Sequence, residues 1–161
     1  MTVVSRCGVL AYLLAISTVA TDQITKSWAL RLLDWGRRSI GVWGPLRFTL
    51  VENNGVSFGL FHSDGIFGRI ALSAFSIAVV IAMAVWVRRA DRVLSGVAVG
   101  LIMGGALGNV IDRWRYGSVV DFVDVQRLYF PWVFNLADSA ITVGIALFII
   151  ETAFFPRKEM A

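Results

Sequence analysis

The sequence predicts a membrane protein that is mainly α-helical, with four transmembrane helices and a small β-sheet at the membrane surface. Of the 161 residues, 57% are hydrophobic and 16% are charged, and the mean hydropathy is +0.72. A soluble domain of this length is less apolar. Four long apolar segments occur along the chain, and a helix needs about 20 such residues to cross the hydrocarbon of a bilayer. We therefore treat residues 1–161 as a single integral membrane domain.

The first transmembrane helix is expected over about residues 7–33. Its apolar run is followed by "DQITKSWALRLL", which continues a helical pattern without a break. The alternative is a cleavable signal peptide, because Arg6 precedes the run and the small residues of "STVA" lie near its end. The continuous pattern favours a retained helix.

Residues 34–65 predict a small sheet on the membrane surface. The stretch "LRFTLVENNGVSFGLF" alternates between apolar and polar residues and contains β-branched residues, which predicts two short strands with "ENNG" as the turn. The segment is too polar to span a membrane. Its aromatic residues, among them Trp35, Trp43 and Phe48, are typical of a membrane interface.

The other three transmembrane helices are expected over about residues 66–87, 93–112 and 134–155. The short loop "RRADR" separates the second from the third, and a long loop or helix at about 113–133 precedes the fourth. Six of the fifteen Lys and Arg residues fall on the side of the short loop and nine on the other, but the short loop is the more densely basic. The higher density of basic residues in the short loop favours a cytoplasmic location for that loop and for both termini.

Glycines repeat every four residues along the third helix. Gly96, Gly100, Gly104 and Gly108 form one bare face, which permits close contact with another helix in lipid. Four residues further lies Asp112, so the same face leads to a charged group. Packing and placement of a polar site are compatible functions for this face.

Acidic residues collect at one membrane face, where eight of the eleven Asp and Glu residues are expected. An ionisable group near hydrocarbon is costly and usually serves a function. Asp121 in "VVDFV" and Asp138 in "LADSA" lie between apolar residues. Two carboxylates about 3 Å apart share a proton, and such a pair can activate water against an amide. The alternative is that these acids cap helices or pair with arginines, as Asp112 beside Arg113 would.

Composition argues against several other classes of function. The scattered basic residues form no face suited to nucleic acid. One cysteine and one histidine, His62, cannot build a disulfide framework or a Cys/His metal cluster within one chain. A small proton-coupled transporter or channel subunit would need acids spaced through the bilayer, and a structural scaffold would explain the glycines but not the acids.

Five motifs, "TDQITK", "VENNGVSFGLF", "GGALGNVIDR", "GSVVDF" and "FNLADSAI", together resemble the lipoprotein signal peptidases, or signal peptidase II. The resemblance implies a membrane-embedded aspartyl endopeptidase with four transmembrane helices and a periplasmic sheet that cradles the substrate. It also implies a multi-pass protein of the bacterial inner membrane, with cytoplasmic termini and an active site near the periplasmic face.

The resemblance implies roles for particular residues. The aspartates of the family's "VVDF" and "FNxAD" motifs fall on Asp121 and Asp138, as the catalytic general acid and base. Supporting or substrate-binding positions fall on Asp22, Lys26, Asn53, Gly55, Asn109, Asp112, Arg113, Asn135 and Ala137. Asp22 and Lys26, four residues apart, could equally form a structural ion pair.

The resemblance also implies a substrate and a cofactor-free mechanism. The family cuts prolipoproteins just before a cysteine that carries diacylglycerol, so the substrate's acyl chains would remain among membrane lipids. Neither metal nor other cofactor is expected, nor any nucleic-acid partner, and the protein could act as a monomer. His62 is expected to be an interface residue. Asn54, Val56 and Ser57 depart from the smaller residues usual in the family's glycine turn.

Overall fold

The computed structural model describes residues 4–33, 39–55, 65–128, 130 and 132–154. Four helices lie within these ranges: α1 (Arg6–Leu32), α2 (Ile66–Val87), α3 (Val93–Arg115) and α4 (Leu136–Phe154). Each is long and apolar enough to cross a membrane. The predicted four-helix, mainly α architecture is confirmed.

The third helix occupies the centre of the bundle. α3 packs against α1, α4 and α2, and most of its apolar length is buried, whereas α2 is largely exposed. A Cβ placed on Gly96 would lie 2.6 Å from the carbonyl oxygen of Cys7, and one on Gly100 would lie 2.8 Å from that of Ala11. These contacts confirm that the glycine face of α3 is the surface on which α1 packs.

A small antiparallel sheet is the second part of the fold. In the described residues its strands follow the order β1 (Ser39–Trp43), β2 (Leu46–Asn53), β3 (Val119–Asp124) and β4 (Val133–Phe134). The presence of a small sheet is therefore confirmed, but its first two strands are joined by a turn at Gly44 and Pro45 and not by "ENNG". The strand predicted after "ENNG" lies outside the described residues. Two of the sheet's strands come from the connection between α3 and α4, which also holds a short 3-10 helix (Gln126–Leu128). The sequence predicts a loop or helix in this connection, and its pattern does not indicate β3 and β4.

Aromatic and aliphatic side chains fix the sheet to the end of α1. Trp28 of α1 meets Phe48 of β2 edge-on, with ring centroids 5.3 Å apart, and Phe48 in turn contacts Phe122 of β3. Ala29 and Leu50 are buried in the same cluster. Burial of this apolar surface holds β3, and the acid it carries, over the helix bundle.

Candidate active site

Asp121 reaches the site because α3 turns sharply into β3. Gly117 ends the turn with φ +88°, a conformation that costs little only for glycine. Val51 of β2 pairs directly with Asp121, so Asn53, two residues further, lies on the same face of the sheet. The Asn53 Nδ2 donates to Asp121 Oδ2 at 3.0 Å. The Asp121 side chain is only 1% exposed.

Asp138 lies in the first turn of α4, where a reciprocal capping interaction orients it. The backbone N–H of Asp138 donates to Asn135 Oδ1 at 2.9 Å, and the backbone N–H of Asn135 donates to Asp138 Oδ2 at 3.3 Å. This is the arrangement of a capping box. The start of α4 therefore fixes both the backbone and the carboxylate of Asp138.

Two side-chain amides connect the acids. Asn135 Nδ2 donates to Asp121 Oδ1 at 2.6 Å, and Asn109 Nδ2 donates to Asp138 Oδ1 at 2.9 Å. Asn135 Nδ2 also lies 3.2 Å from Asn109 Oδ1. Each acid is thus bound by an amide from another element, and the two amides contact each other.

The two acids also interact electrostatically. Burial, followed by the negative charge of Asp138, raises the pKa of Asp121 from 3.8 to about 7, although the amides of Asn53 and Asn135 oppose this shift. A carboxyl with such a pKa can carry a proton near neutral pH. The pair can then present one proton donor and one proton acceptor together.

A buried cluster of charges lies beside the acids, and we call Asp22, Lys26 and Asp112 the Lys26 cluster. Lys26 Nζ lies 2.8 Å from Asp22 Oδ2 and 2.7 Å from Asp112 Oδ2. It also donates to Asn109 Oδ1 at 3.1 Å. All three members of the cluster are at most 1% exposed. The ion pair of Asp22 and Lys26 exists, but it belongs to a larger network.

Arg113 connects the acids to the segment after β2. Its Nη2 donates to the carbonyl of Gly55 at 3.3 Å, and its guanidinium interacts electrostatically with Asp138, Asp112 and Asp121. Gly55 is also tied to Asn53, whose Oδ1 accepts from the Gly55 N–H at 3.0 Å. Arg113 is only 8% exposed.

The structure brings all the predicted site residues together at one end of the bundle, formed by the C-terminal halves of α1 and α3, the start of α4 and the sheet. Ala137 joins the site through its backbone N–H, which donates to Asp22 Oδ1 at 3.0 Å. Asp112 binds both Lys26 and the backbone N–H of Val120. Predictions for Val56, Ser57, His62 and Trp35 lie outside the described residues.

Sequence reasoning missed Gln23, and it placed Gly108 on the glycine face of α3 without assigning it a contact in the site. Gln23 Nε2 donates to Asp112 Oδ1 at 2.9 Å and lies 3.2 Å from Asp22 Oδ2. A Cβ on Gly108 would lie 2.5 Å from Asp22 Oδ2. The missing side chain at Gly108 therefore leaves room for the buried carboxylate of Asp22. Gln23 is within the motif "TDQITK", but only the packing of α1 on α3 reveals its partner. Within the described ranges, no three His, Cys, Asp or Glu side chains are grouped to bind a metal ion.

Comparison with known proteins gives one consistent result. The family model described as Signal peptidase (SPase) II matches residues 14–154. A lipoprotein signal peptidase of Caulobacter vibrioides is 54% identical over 162 residues, which cover 98% of this chain and 95% of the relative. One from Methylorubrum extorquens is 44% identical over 149 residues, with 91% and 85% covered.

Solved structures agree with the sequence relatives. One described as "Bacterial membrane enzyme structure by the in meso method at 1.9 A resolution" is 31% identical and superposes with a TM-score of 0.79. The match covers 98% of this chain and 99% of that chain. The comparisons give no support to the alternative of a proton-coupled transporter. The chain belongs to the signal peptidase II family of aspartic peptidases.

Proposed function

We propose that Asp121 and Asp138 are the catalytic acids with which this chain cuts prolipoproteins on the N-terminal side of a diacylglyceryl-modified cysteine. The chain is an aspartic endopeptidase that removes signal peptides from prolipoproteins, as the family does. The observation that carries the proposal is the pairing of these two acids. One comes from β3 and one from α4, and the amides of Asn135 and Asn109 bind them.

The two acids are suited to hydrolysis of an amide by an activated water. The ionised carboxylate takes a proton from water, whose oxygen bonds to the scissile carbonyl carbon, while the protonated carboxyl donates to the carbonyl oxygen. The resulting tetrahedral diol collapses when a proton passes to the amide nitrogen and the C–N bond breaks. The products are a carboxylic acid on the signal peptide and a free amine on the cysteine. No covalent enzyme intermediate forms.

The neighbouring polar groups have supporting roles in this proposal. Asn53 fixes Asp121, and the Arg113 guanidinium supplies positive charge beside the two acids. Arg113 and Asn53 both contact Gly55, directly before residues 56–64. We assign this edge of the site to binding of the substrate backbone around the scissile bond.

The substrate would reach the acids from the bilayer. Large apolar side chains such as Phe67 and Phe75 of α2 are 86% and 69% exposed, as expected of surfaces that contact lipid. A signal peptide would bind between the helices with the cysteine's acyl chains remaining in the hydrocarbon. The amide would then meet Asp138, which is partly exposed and accessible to water.

The proposed orientation puts both termini in the cytoplasm and the acids near the periplasmic face. The short connection between α2 and α3 contains Arg88, Arg89 and Arg92, and short loops rich in arginine favour the cytoplasmic side. We further propose that residues 1–161 act as one domain and as a monomer, since a single chain supplies both acids.

The test of this function is cleavage of two synthetic peptides that differ only in diacylglycerol on the cysteine. The purified protein in detergent should cut the lipidated peptide at the bond before the cysteine and leave the other intact. Mass spectrometry of the products identifies the bond. Equal cleavage of both peptides would overturn the proposed substrate class, and cleavage at a different bond would overturn the proposed specificity.

A further inference from the structure

We propose that Lys26 is a positioning residue of the catalytic pair, which fixes the amide of Asn109 and the backbone directly before each catalytic aspartate. The inference rests on the proposed function, because it takes Asp121 and Asp138 as the catalytic acids. Lys26, on α1, makes short polar contacts with Asp22, Asp112 and Asn109, and its positive charge also lowers the pKa of Asp121.

The first step is the saturation of the Lys26 ammonium group. An ammonium has three N–H donors. In the described part of the chain, Nζ has three acceptors: Asp112 Oδ2 at 2.7 Å, Asp22 Oδ2 at 2.8 Å and Asn109 Oδ1 at 3.1 Å. The side chain is 2% exposed, so water contributes little. Every proton of the ammonium is therefore directed at a particular atom.

The second step is the orientation of the Asn109 amide. Its Oδ1 accepts from Lys26 Nζ and from Asn135 Nδ2, at 3.1 and 3.2 Å. A rotation by 180° would place the NH₂ group against two donors, one of them a cation. The amide is thus held with Nδ2 toward Asp138 Oδ1, 2.9 Å away. Lys26 selects the orientation in which Asn109 donates to the catalytic acid.

The third step concerns the two acids that bind Lys26. Asp22 Oδ1 accepts from the backbone N–H of Ala137 at 3.0 Å, and Ala137 directly precedes Asp138. Asp112 Oδ2 accepts from the backbone N–H of Val120 at 3.1 Å, and Val120 directly precedes Asp121. The Lys26 cluster therefore binds the chain immediately before each catalytic residue and sets their separation.

Loss of Lys26 should consequently reduce turnover more than substrate binding. A small displacement of catalytic groups can cost about 100-fold in rate. We expect Lys26→Met to lower kcat by about 100-fold while KM changes by less than about 3-fold, since Lys26 is buried away from the substrate surface. Thr21→Val is the matched control, because Thr21 is exposed on the same helix and its hydroxyl binds the helix's own backbone.

A double-mutant cycle distinguishes positioning from simple structural support. If Lys26 acts through Asn109 and the backbone, Asn109→Ala and Lys26→Met should be non-additive, so that kcat of the double variant is close to that of the worse single variant. Multiplication of the two losses would overturn the inference. So would a Lys26→Met protein with a lower melting temperature but wild-type kcat per folded molecule.

A charge-matched variant covers the case in which Lys26→Met does not fold. Removal of Lys26 alone leaves two buried carboxylates without their cation, whereas Asp22→Asn together with Lys26→Met keeps the formal charge of the cluster at −1. This double variant should fold and still show the loss of kcat. Recovery of wild-type kcat would overturn the inference. If Asp121→Asn is inactive under the same conditions, the proposed function stands independently of that result.

Discussion

At the scale of single residues, side-chain amides bind both catalytic acids. Asp121 accepts hydrogen bonds from the side-chain amides of Asn135 and Asn53, and Asp138 accepts one from the side-chain amide of Asn109 and one from the backbone N–H of Asn135. A side-chain amide orients a carboxylate without adding a full opposite charge, which would suppress its proton affinity. The site can therefore keep the raised pKa that acid–base catalysis near neutral pH requires.

The rate of cleavage should depend on pH through the proton that Asp121 can carry. The pKa of Asp121 is raised to about 7, so the proton shared with Asp138 is present below that pH and is lost as pH rises through it. We expect kcat/KM to fall about tenfold per pH unit well above pH 7. Initial rates measured between pH 5 and 9 give this fall, which is the alkaline limb of the pH profile. A rate that stays level to pH 9 would contradict the assignment.

Asn53→Ala tests whether Asn53 helps to set the pH above which kcat/KM falls. The Asn53 amide lowers the pKa of Asp121, so its removal should raise this pKa further and move the alkaline limb to higher pH. The overall rate should also fall, because one donor that orients Asp121 is lost. Thr49→Val on the same strand is the control, since Thr49 binds Asp124 instead. If the fall in kcat/KM begins at the same pH or at a lower pH than in the wild type, the result would argue against this role for Asn53.

Sequence alone could single out Asp121 and Asp138 as candidates, because a carboxylate between apolar residues near a membrane usually serves a function, but it left open that they cap helices or pair with arginines. It could not identify the side chains that bind the backbone directly before each of these acids. The N–H groups of Ala137 and Val120 bind Asp22 and Asp112, which lie 115 and 8 residues away in the chain. Such contacts depend on how α1, α3 and the sheet pack together, and no local pattern encodes them.

At the scale of elements, close packing of α1 on α3 positions the Lys26 cluster. Gly104→Ala should destabilise the protein, because its Cβ would lie 2.6 Å from Thr18 Cβ and 2.8 Å from the carbonyl oxygen of Ala15. Overpacking of this kind costs about 1–3 kcal/mol. Thermal unfolding in detergent measures the effect. Gly41→Ala is the control, since a Cβ there meets nothing within 4 Å; equal melting temperatures would contradict the packing account.

A second polar contact joins α3 to α4 at the opposite end of the bundle. Ser95 Oγ donates to the buried Glu151 Oε1 at 2.6 Å. Ser95→Ala removes this donor and should lower the free energy of unfolding by about 1–3 kcal/mol. Thr152→Ala is the comparison, because Thr152 is exposed and its hydroxyl binds its own helix. A smaller effect for Ser95→Ala than for Thr152→Ala would argue against a stabilising role.

The strands show where element prediction from sequence stops. The four helices follow from apolar length alone, and β2 follows from alternation and the turn residues after it. β3 was missed because "VVDFVD" is short, and its partner β2 lies more than 60 residues earlier. Only pairing across that distance makes the segment a strand, and that pairing brings Asn53 to Asp121.

At the scale of the whole molecule, the membrane determines which part of the substrate reaches the acids. The proposed orientation is testable with single cysteines in a Cys7→Ser background. A cysteine at Arg127, in the 3-10 helix beside the sheet, should react with a membrane-impermeant maleimide in intact cells. One at Arg89, in the short α2–α3 connection, should react only after permeabilisation. Both residues are exposed, so accessibility in the protein itself is matched. The reverse pattern would contradict the orientation.

The central claim is that Asp121 and Asp138 together cleave the substrate, and the most direct measurement is cleavage of the lipidated peptide by Asn variants. Asp121→Asn and Asp138→Asn should each lower kcat by about 1,000-fold or more while the proteins stay folded in detergent. Asp124→Asn is the matched control, because Asp124 is a buried acid of β3 that binds Thr49 and Gln126, and it should retain wild-type turnover. Wild-type turnover by a folded Asp121→Asn or Asp138→Asn protein would contradict the account.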